Sequence, residues 1–127
     1  MLRIILIACF TLILNEMFGQ AKLFSDKKTV QAGCDKVMML FKDSKFAEAL
    51  DTLKQYSIIE SKEIDAMQTT MQQQMNKASE SYGKLLSSEF ITERSVKEFY
   101  TRRVYALKFE QHFLKAYFSL YNNGSGW

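Results

Sequence analysis

The chain has 127 residues, 47% of them hydrophobic and 24% charged, with two cysteines, no proline and a formal net charge of +3 at pH 7. Once the leader described below is removed, that length suits one domain with a modest core and excludes two. The mild positive charge is not gathered into a dense Lys/Arg block, so composition specifically implies neither nucleic acid nor an anionic membrane as partner.

Met1-Leu2-Arg3 is followed by an apolar run from Ile4 to Leu14 and a polar stretch ending in Gly19-Gln20-Ala21. This is the order of a secretory signal, with Gly19 and Ala21 in the small positions before the cleavage site. The run is about half the ~20 residues that span a bilayer, so a cleaved leader at residues 1–21 is expected and no stable membrane span after it. Leu6-Ile7-Ala8-Cys9 has the look of a bacterial lipobox, but almost no apolar segment precedes Cys9 and a long one follows it, which favours ordinary cleavage. The expected product is an exported chain, periplasmic or secreted, running from Lys22 to Trp127 as a single domain. Loss of Arg3 and Glu16 removes one charge of each sign, so that domain keeps +3. Cys34 is then its one cysteine, and without an internal disulfide it must stand on its core.

From an N-cap at Ser25-Asp26, Val30, Cys34, Val37, Met38 and Phe41 recur at helical spacing and predict an amphipathic helix, weakened but not broken by Gly33. Asp43-Ser44 resets the register, and Phe46, Ala47, Leu50 and Leu53 mark a shorter second helix, the other arm of a helical hairpin. Ser57 and Glu60 have the spacing of a capping box, with Ser61 as the alternative cap, for a long third helix ending near Tyr82. Its apolar line is Ile64, Met67, Met71, Met75, Ala78 and Tyr82. Gln68, Gln72, Gln73, Asn76 and Lys77 form a water-facing side, and Gly83 stands where a left-handed C-cap belongs.

Past Gly83 the hydrophobic period falls to two. Leu85 to Thr92 reads as a strand. Phe99 to Glu110 alternates more clearly, with Arg103, Tyr105, Leu107 and Phe109 on one face and Arg102, Val104, Ala106 and Lys108 on the other. Phe113 to Tyr121 repeats the pattern, with Leu114, Ala116, Phe118 and Leu120 opposing Phe113, Lys115, Tyr117, Ser119 and Tyr121. Asn122-Asn123-Gly124-Ser125-Gly126 supplies the positive φ angles of a hairpin turn, yet only Trp127 follows. A turn leading to one residue has nothing to pair and leaves an open aromatic edge, so the expectation is a C-terminally incomplete domain whose last strand is missing or supplied by a partner.

The order of these elements is that of the cystatin-like α+β roll. The residues that carry a likeness are Phe41-Lys42-Asp43-Ser44-Lys45-Phe46-Ala47-Glu48-Ala49, Tyr82-Gly83-Lys84, Glu89-Phe90-Ile91, Arg102-Arg103-Val104-Tyr105-Ala106-Leu107-Lys108-Phe109-Glu110 and Tyr121-Asn122-Asn123-Gly124-Ser125-Gly126-Trp127. On these the chain resembles small exported bacterial proteins of unknown function with a nuclear-transport-factor-2-like roll. The resemblance implies α+β class, with three N-terminal helices packed on a curved antiparallel sheet of three to four strands and the tryptophan opening a further strand. It brings no catalytic set and no cofactor.

His112, the only histidine, reads as a turn residue beside Glu110, because a metal site usually wants three or four ligands and no second histidine or cysteine pair exists. Cys34 sits on the apolar stripe, which suits a packed thiol better than a nucleophile. Met67, Met71 and Met75 could line a soft groove or bind copper, but methionines at this spacing more often fill gaps in a core. Most informative is the set Arg94, Arg102, Arg103, Lys108 and Lys115 interleaved with Tyr100, Tyr105 and Tyr117. Arg103, Tyr105 and Tyr117 are the candidate ligand-binding residues, since a guanidinium beside phenols can hold a carboxylate in the mouth of a roll. The competing reading is cross-strand pairing that needs no ligand.

Three functions follow. The favoured one is a non-enzymatic exported module that binds a small anionic ligand or a protein, itself or another chain. The second is an acid-base enzyme with Glu89 or Glu110 as base and Tyr105 or Tyr117 as donor. The third is an assembly protein whose open edge accepts a strand from another chain.

Overall fold

A computed structural model describes residues 23–127; the expected leader at residues 1–21, with Cys9, and the cleavage point before Lys22 lie outside the described residues. Among the described residues the chain is α+β, three helices followed by three antiparallel strands that pair in chain order. No helix among the described residues is long and apolar enough to cross a membrane.

Helix α1 (Lys27–Lys42) starts where the Asp26 side chain accepts a hydrogen bond from the Lys28 amide at 2.9 Å, satisfying one of the donors that a helix N-terminus leaves free. Its buried residues include Val30, Cys34, Val37, Met38 and Phe41, the stripe expected from spacing. Ser44, at φ +58°, turns the chain into α2 (Phe46–Lys54), and the Lys45 amide closes the turn on the Leu40 carbonyl at 2.9 Å. The buried face of α2 differs from expectation. Ala49, not Ala47, is inside, because positions three and four beyond Phe46 share its face while the adjacent residue is rotated by about 100°.

Helix α3 (Ser61–Tyr82) has Glu60 as N-cap, and its carbonyl accepts from the Glu63 and Ile64 amides. The Ser57–Glu60 capping box does not form; the Ser57 hydroxyl instead accepts from the Ile59 amide at 3.0 Å, a local turn that ends before the helix begins. Along α3, Ile64, Met75 and Ala78 are buried, Met71 is half-buried and Met67 is exposed. Gly83 ends the helix at φ +84°, but with ψ at −161° it is extended in the positive-φ half of the map and not the left-handed helical cap that was expected. Glycine suits this backbone conformation, which L side chains rarely adopt, and a Cβ there would also press on the Glu110 side chain.

Strand β1 (Leu85–Val96) runs four residues past the expected Thr92 and pairs with β2 (Tyr100–Phe109) through two register shifts, at Leu85/Ser87 and Phe90/Thr92. β3 (Phe113–Tyr121) has the expected bounds. The register puts Arg103 opposite Glu93 and Phe118, and Tyr105 opposite Phe90 and Ala116. Thr101, Arg103, Tyr105, Leu107 and Phe109 therefore share the inner face with Leu114, Ala116, Phe118 and Leu120. One apolar cluster contains Val37, Met38 and Phe41 of α1, Ala49 of α2, Met75 and Ala78 of α3, and Tyr105, Leu107, Phe109 and Leu120 of the sheet. Each large aliphatic or aromatic side chain removed from water in this way contributes about 1.5–3 kcal/mol.

The turn after β3 is built by side chains: Asn122 accepts from the Gly124 amide and Asn123 from the Ser125 amide, both at 2.8 Å. Only Gly124 of its two glycines has positive φ. The turn does not return the chain along β3. Trp127 is not left without a backbone partner either, for its amide donates to the Phe24 carbonyl at 2.8 Å and its carbonyl accepts from the Phe24 amide at 2.9 Å. The Lys27 ammonium lies 5.1 Å from the centre of the indole. Among the described residues no strand pairs with β3 on the side away from β2.

Candidate functional site

The two faces of the sheet divide the expected ligand-binding residues between them. On the inner side, Lys27, Gln31 and Asp35 lie four residues apart along α1 and so form a polar line beside its apolar stripe. That line meets Glu93 of β1 and Arg103 and Tyr105 of β2. The Arg103 guanidinium donates from Nε to the Tyr105 hydroxyl at 2.5 Å, from Nη1 to Glu93 at 3.2 Å and from Nη2 to Asp35 at 2.9 Å. The Tyr105 hydroxyl donates in turn to Asp35. Gln31 donates to both Glu93 oxygens, at 2.8 and 2.9 Å, and the Lys27 ammonium stands 3.8 Å from the same carboxylate. The guanidinium carbon also sits 4.3 Å from the Phe90 ring centre, an attraction of cation and ring quadrupole.

The electrostatics follow from this packing. Burial pulls the Arg103 pKa down, but its bonds to Asp35, Tyr105 and Glu93 outweigh that and leave it above the usual arginine range. Tyr105 is held as a phenol well above its ordinary value, first by burial and then by its bond to Asp35, against the lowering effect of Arg103. Arg103 is thus a permanent cation and Tyr105 a neutral donor. Both border an open groove of about 350 Å³, with Met38, Met39 and Lys42 of α1 on its other wall. Of the expected set only Arg103 and Tyr105 come together here, and the anions beside them are the chain's own Asp35 and Glu93. Sequence reasoning missed both carboxylates. The four-residue spacing of Lys27, Gln31 and Asp35 was a usable signal; the register that sets Glu93 against Arg103 was not, because β1 was expected to stop at Thr92.

Tyr117 is on the other face. It pairs with Val104, is 52% exposed, and carries the Arg102 guanidinium 4.3 Å from its ring centre. The outer face also presents Ile91, Phe113 and Tyr121, all substantially exposed, with Arg94, Arg102, Lys108 and Lys115 as its cations and Glu89 beside them. Glu89 accepts from Lys108 at 3.2 Å. Arg94, Arg102 and Lys115 have no ion pair among the described residues, and Arg94 stands directly opposite Arg102 across the strands. A shallow depression of about 270 Å³ lies between these three cations, with Ile91, Val104 and Tyr117 as apolar walls.

Glu89 is on the outer face and Glu110 lies against Gly83 in the β2–β3 turn, so neither carboxylate meets Tyr105. His112 is exposed, its ring 4.8 Å from that of Tyr82, and no group of three or more metal-ligand side chains gathers among the described residues. Cys34 is buried in the core cluster. Comparison with protein-family models, with curated proteins and with solved structures finds no match for this chain.

Proposed function

We propose that the chain is an exported, non-enzymatic interaction module, built as a nuclear-transport-factor-2-like roll, that holds a protein partner on the outer face of its sheet. The observation that carries this reading is a sheet face left open by the described residues, bearing Ile91, Phe113, Tyr117 and Tyr121 among cations that have no ion pair there, since exposed aromatic and arginine side chains on one surface are the usual make-up of a protein interface. A small anion in the inner groove is less well supported. It would have to displace Asp35 and Glu93, which are tethered beside Arg103 and meet it without loss of translational freedom. For the acid-base alternative, Glu89 and Glu110 both lie away from Tyr105, and Glu89, which shares the outer face with Tyr117, is engaged by Lys108, so no free base stands beside a donor. The unpaired edge of β3 supports strand acceptance as a second mode at the same surface.

The test is a photo-crosslinking residue placed at Tyr117 or, as control, at Gln72 on the exposed side of α3, in cells producing the full chain. Discrete protein adducts from position 117 and none from 72 are expected, in the exported fraction. Adducts from 72 alone, or from neither position, would sink the reading.

A further inference from the structure

We propose that the partner surface received by the outer face is an acidic polypeptide segment whose carboxylates enter the depression between Arg94, Arg102 and Lys115. This inference rests on the outer face being the binding surface and adds the chemistry of what binds.

Like charges directly opposite across two strands are destabilising, and the chain places Arg94 against Arg102 without a carboxylate to separate them. Of the three arginines among the described residues these two alone lack a carboxylate: Arg103 has two, and beside them on the outer face even Lys108 has Glu89. Arg94 and Arg102 both lie on the sheet face that no described helix or strand covers. The depression they border is walled by Ile91, Val104 and Tyr117 and capped by three cations, which matches a glutamate side chain with its apolar stem and anionic head.

Charge also chooses among occupants. A second copy of the same face would bring Arg94, Arg102 and Lys115 against another such set, so self-pairing is opposed. A nucleic-acid binder that neutralises about 6–10 phosphates, or a lipid-binding patch of about 4–8 basic residues, needs more than the three free cations this face offers, since Lys108 is already held by Glu89. An acidic peptide needs only a few carboxylates at matched spacing.

The experiment is an NMR titration of the isotope-labelled exported chain with a poly-glutamate peptide, poly-lysine peptide as control, repeated for Arg94→Gln. Shifts are expected at Arg94, Arg102, Lys115 and Tyr117 and not in the Asp35–Arg103 groove. They should weaken as salt rises and the screening length falls. Arg94→Gln should bind about fivefold more weakly while unfolding at the same or a higher temperature, because it relieves a repulsion; a structural role for Arg94 predicts the opposite change in stability. Equal binding of poly-lysine, unchanged affinity in Arg94→Gln, shifts centred on the inner groove, tighter binding to a single-stranded oligonucleotide or to anionic vesicles, or self-association without peptide would each overturn it. Adducts from position 117 in cells together with any of these results would dismiss the acidic partner alone and leave the interaction face standing.

Discussion

Replacing Arg103 with methionine isolates what the inner polar seam contributes. Methionine keeps an apolar stem against Phe90 but removes every donor. The Arg103 side chain is only 12% exposed, and its loss leaves Glu93, at 21%, with Gln31 and a distant Lys27. Hydrogen bonds to charged groups are worth about 1.5–3 kcal/mol when shielded from water. The Glu93 arm should approach the lower figure. The Asp35 arm is discounted to about 0.5 kcal/mol or less, because that carboxylate is 56% exposed and solvent screens it. With the ring contact to Phe90, the expected loss is about 2–3 kcal/mol, which for a domain of this size lowers the melting temperature by roughly 10–20 °C. Urea unfolding followed by circular dichroism reads this directly. Asp35→Asn, by the same reasoning, should stay within about 1 kcal/mol of the parent. If Arg103→Met unfolds within about 0.5 kcal/mol of the parent, or if Asp35→Asn is the more damaging change, the seam is not the shielded network described above.

Alkaline titration offers a separate check. Burial pushes the Cys34 thiol up to about 12, Arg103 pulling it down and Asp35 and Glu93 adding to the rise. A thiol whose pKa is higher folded than unfolded stabilises the fold fully below its usual value of 9.0, and that contribution fades as pH climbs towards 12. The parent should therefore lose stability above pH 9 more steeply than Cys34→Val, by at most about 1.4 kcal/mol per pH unit; parallel curves would mean that the thiol is not buried. Gly83→Ala places a methyl group at φ +84° against Glu110 and should cost about 1–3 kcal/mol, seen as a lower urea midpoint. An unchanged midpoint would show that the helix-to-strand junction relaxes freely.

Local rules carried the reading of the sequence a long way and failed at identifiable points. The α1 stripe was legible because five apolar residues obey one period and Asp26 caps them. β3 was legible because Leu114, Ala116, Phe118 and Leu120 fall on every second position and no register shift breaks the pairing. By contrast, the end of β1 was hidden: Glu93, Arg94 and Ser95 look like loop residues until β2 is beside them, and two register shifts blur the alternation. The site shows the same division. Alternation correctly grouped Arg103 with Tyr105 and Lys115 with Tyr117, but which pair faces the helices depends on burial of Leu107, Phe109 and Leu120, a tertiary fact. The pairing of Asp35 with Arg103 spans 68 residues, and no local pattern announces it.

That span bears on how the protein comes apart. The bonds from Asp35 to Arg103 and Tyr105 join residues 68 and 70 positions apart, whereas the α1–α2 hairpin and the β2–β3 hairpin are closed by near neighbours. Segments with short closure distances assemble first, and contacts of long separation wait for them. The seam is then a late fastening, absent from the barrier to folding. Its removal should leave the refolding limb of a stopped-flow chevron in place and raise the unfolding limb, so that Arg103 acts on how long the native state survives and not on how fast it is reached; slowed refolding with unchanged unfolding in Arg103→Met would place the seam in the nucleus instead.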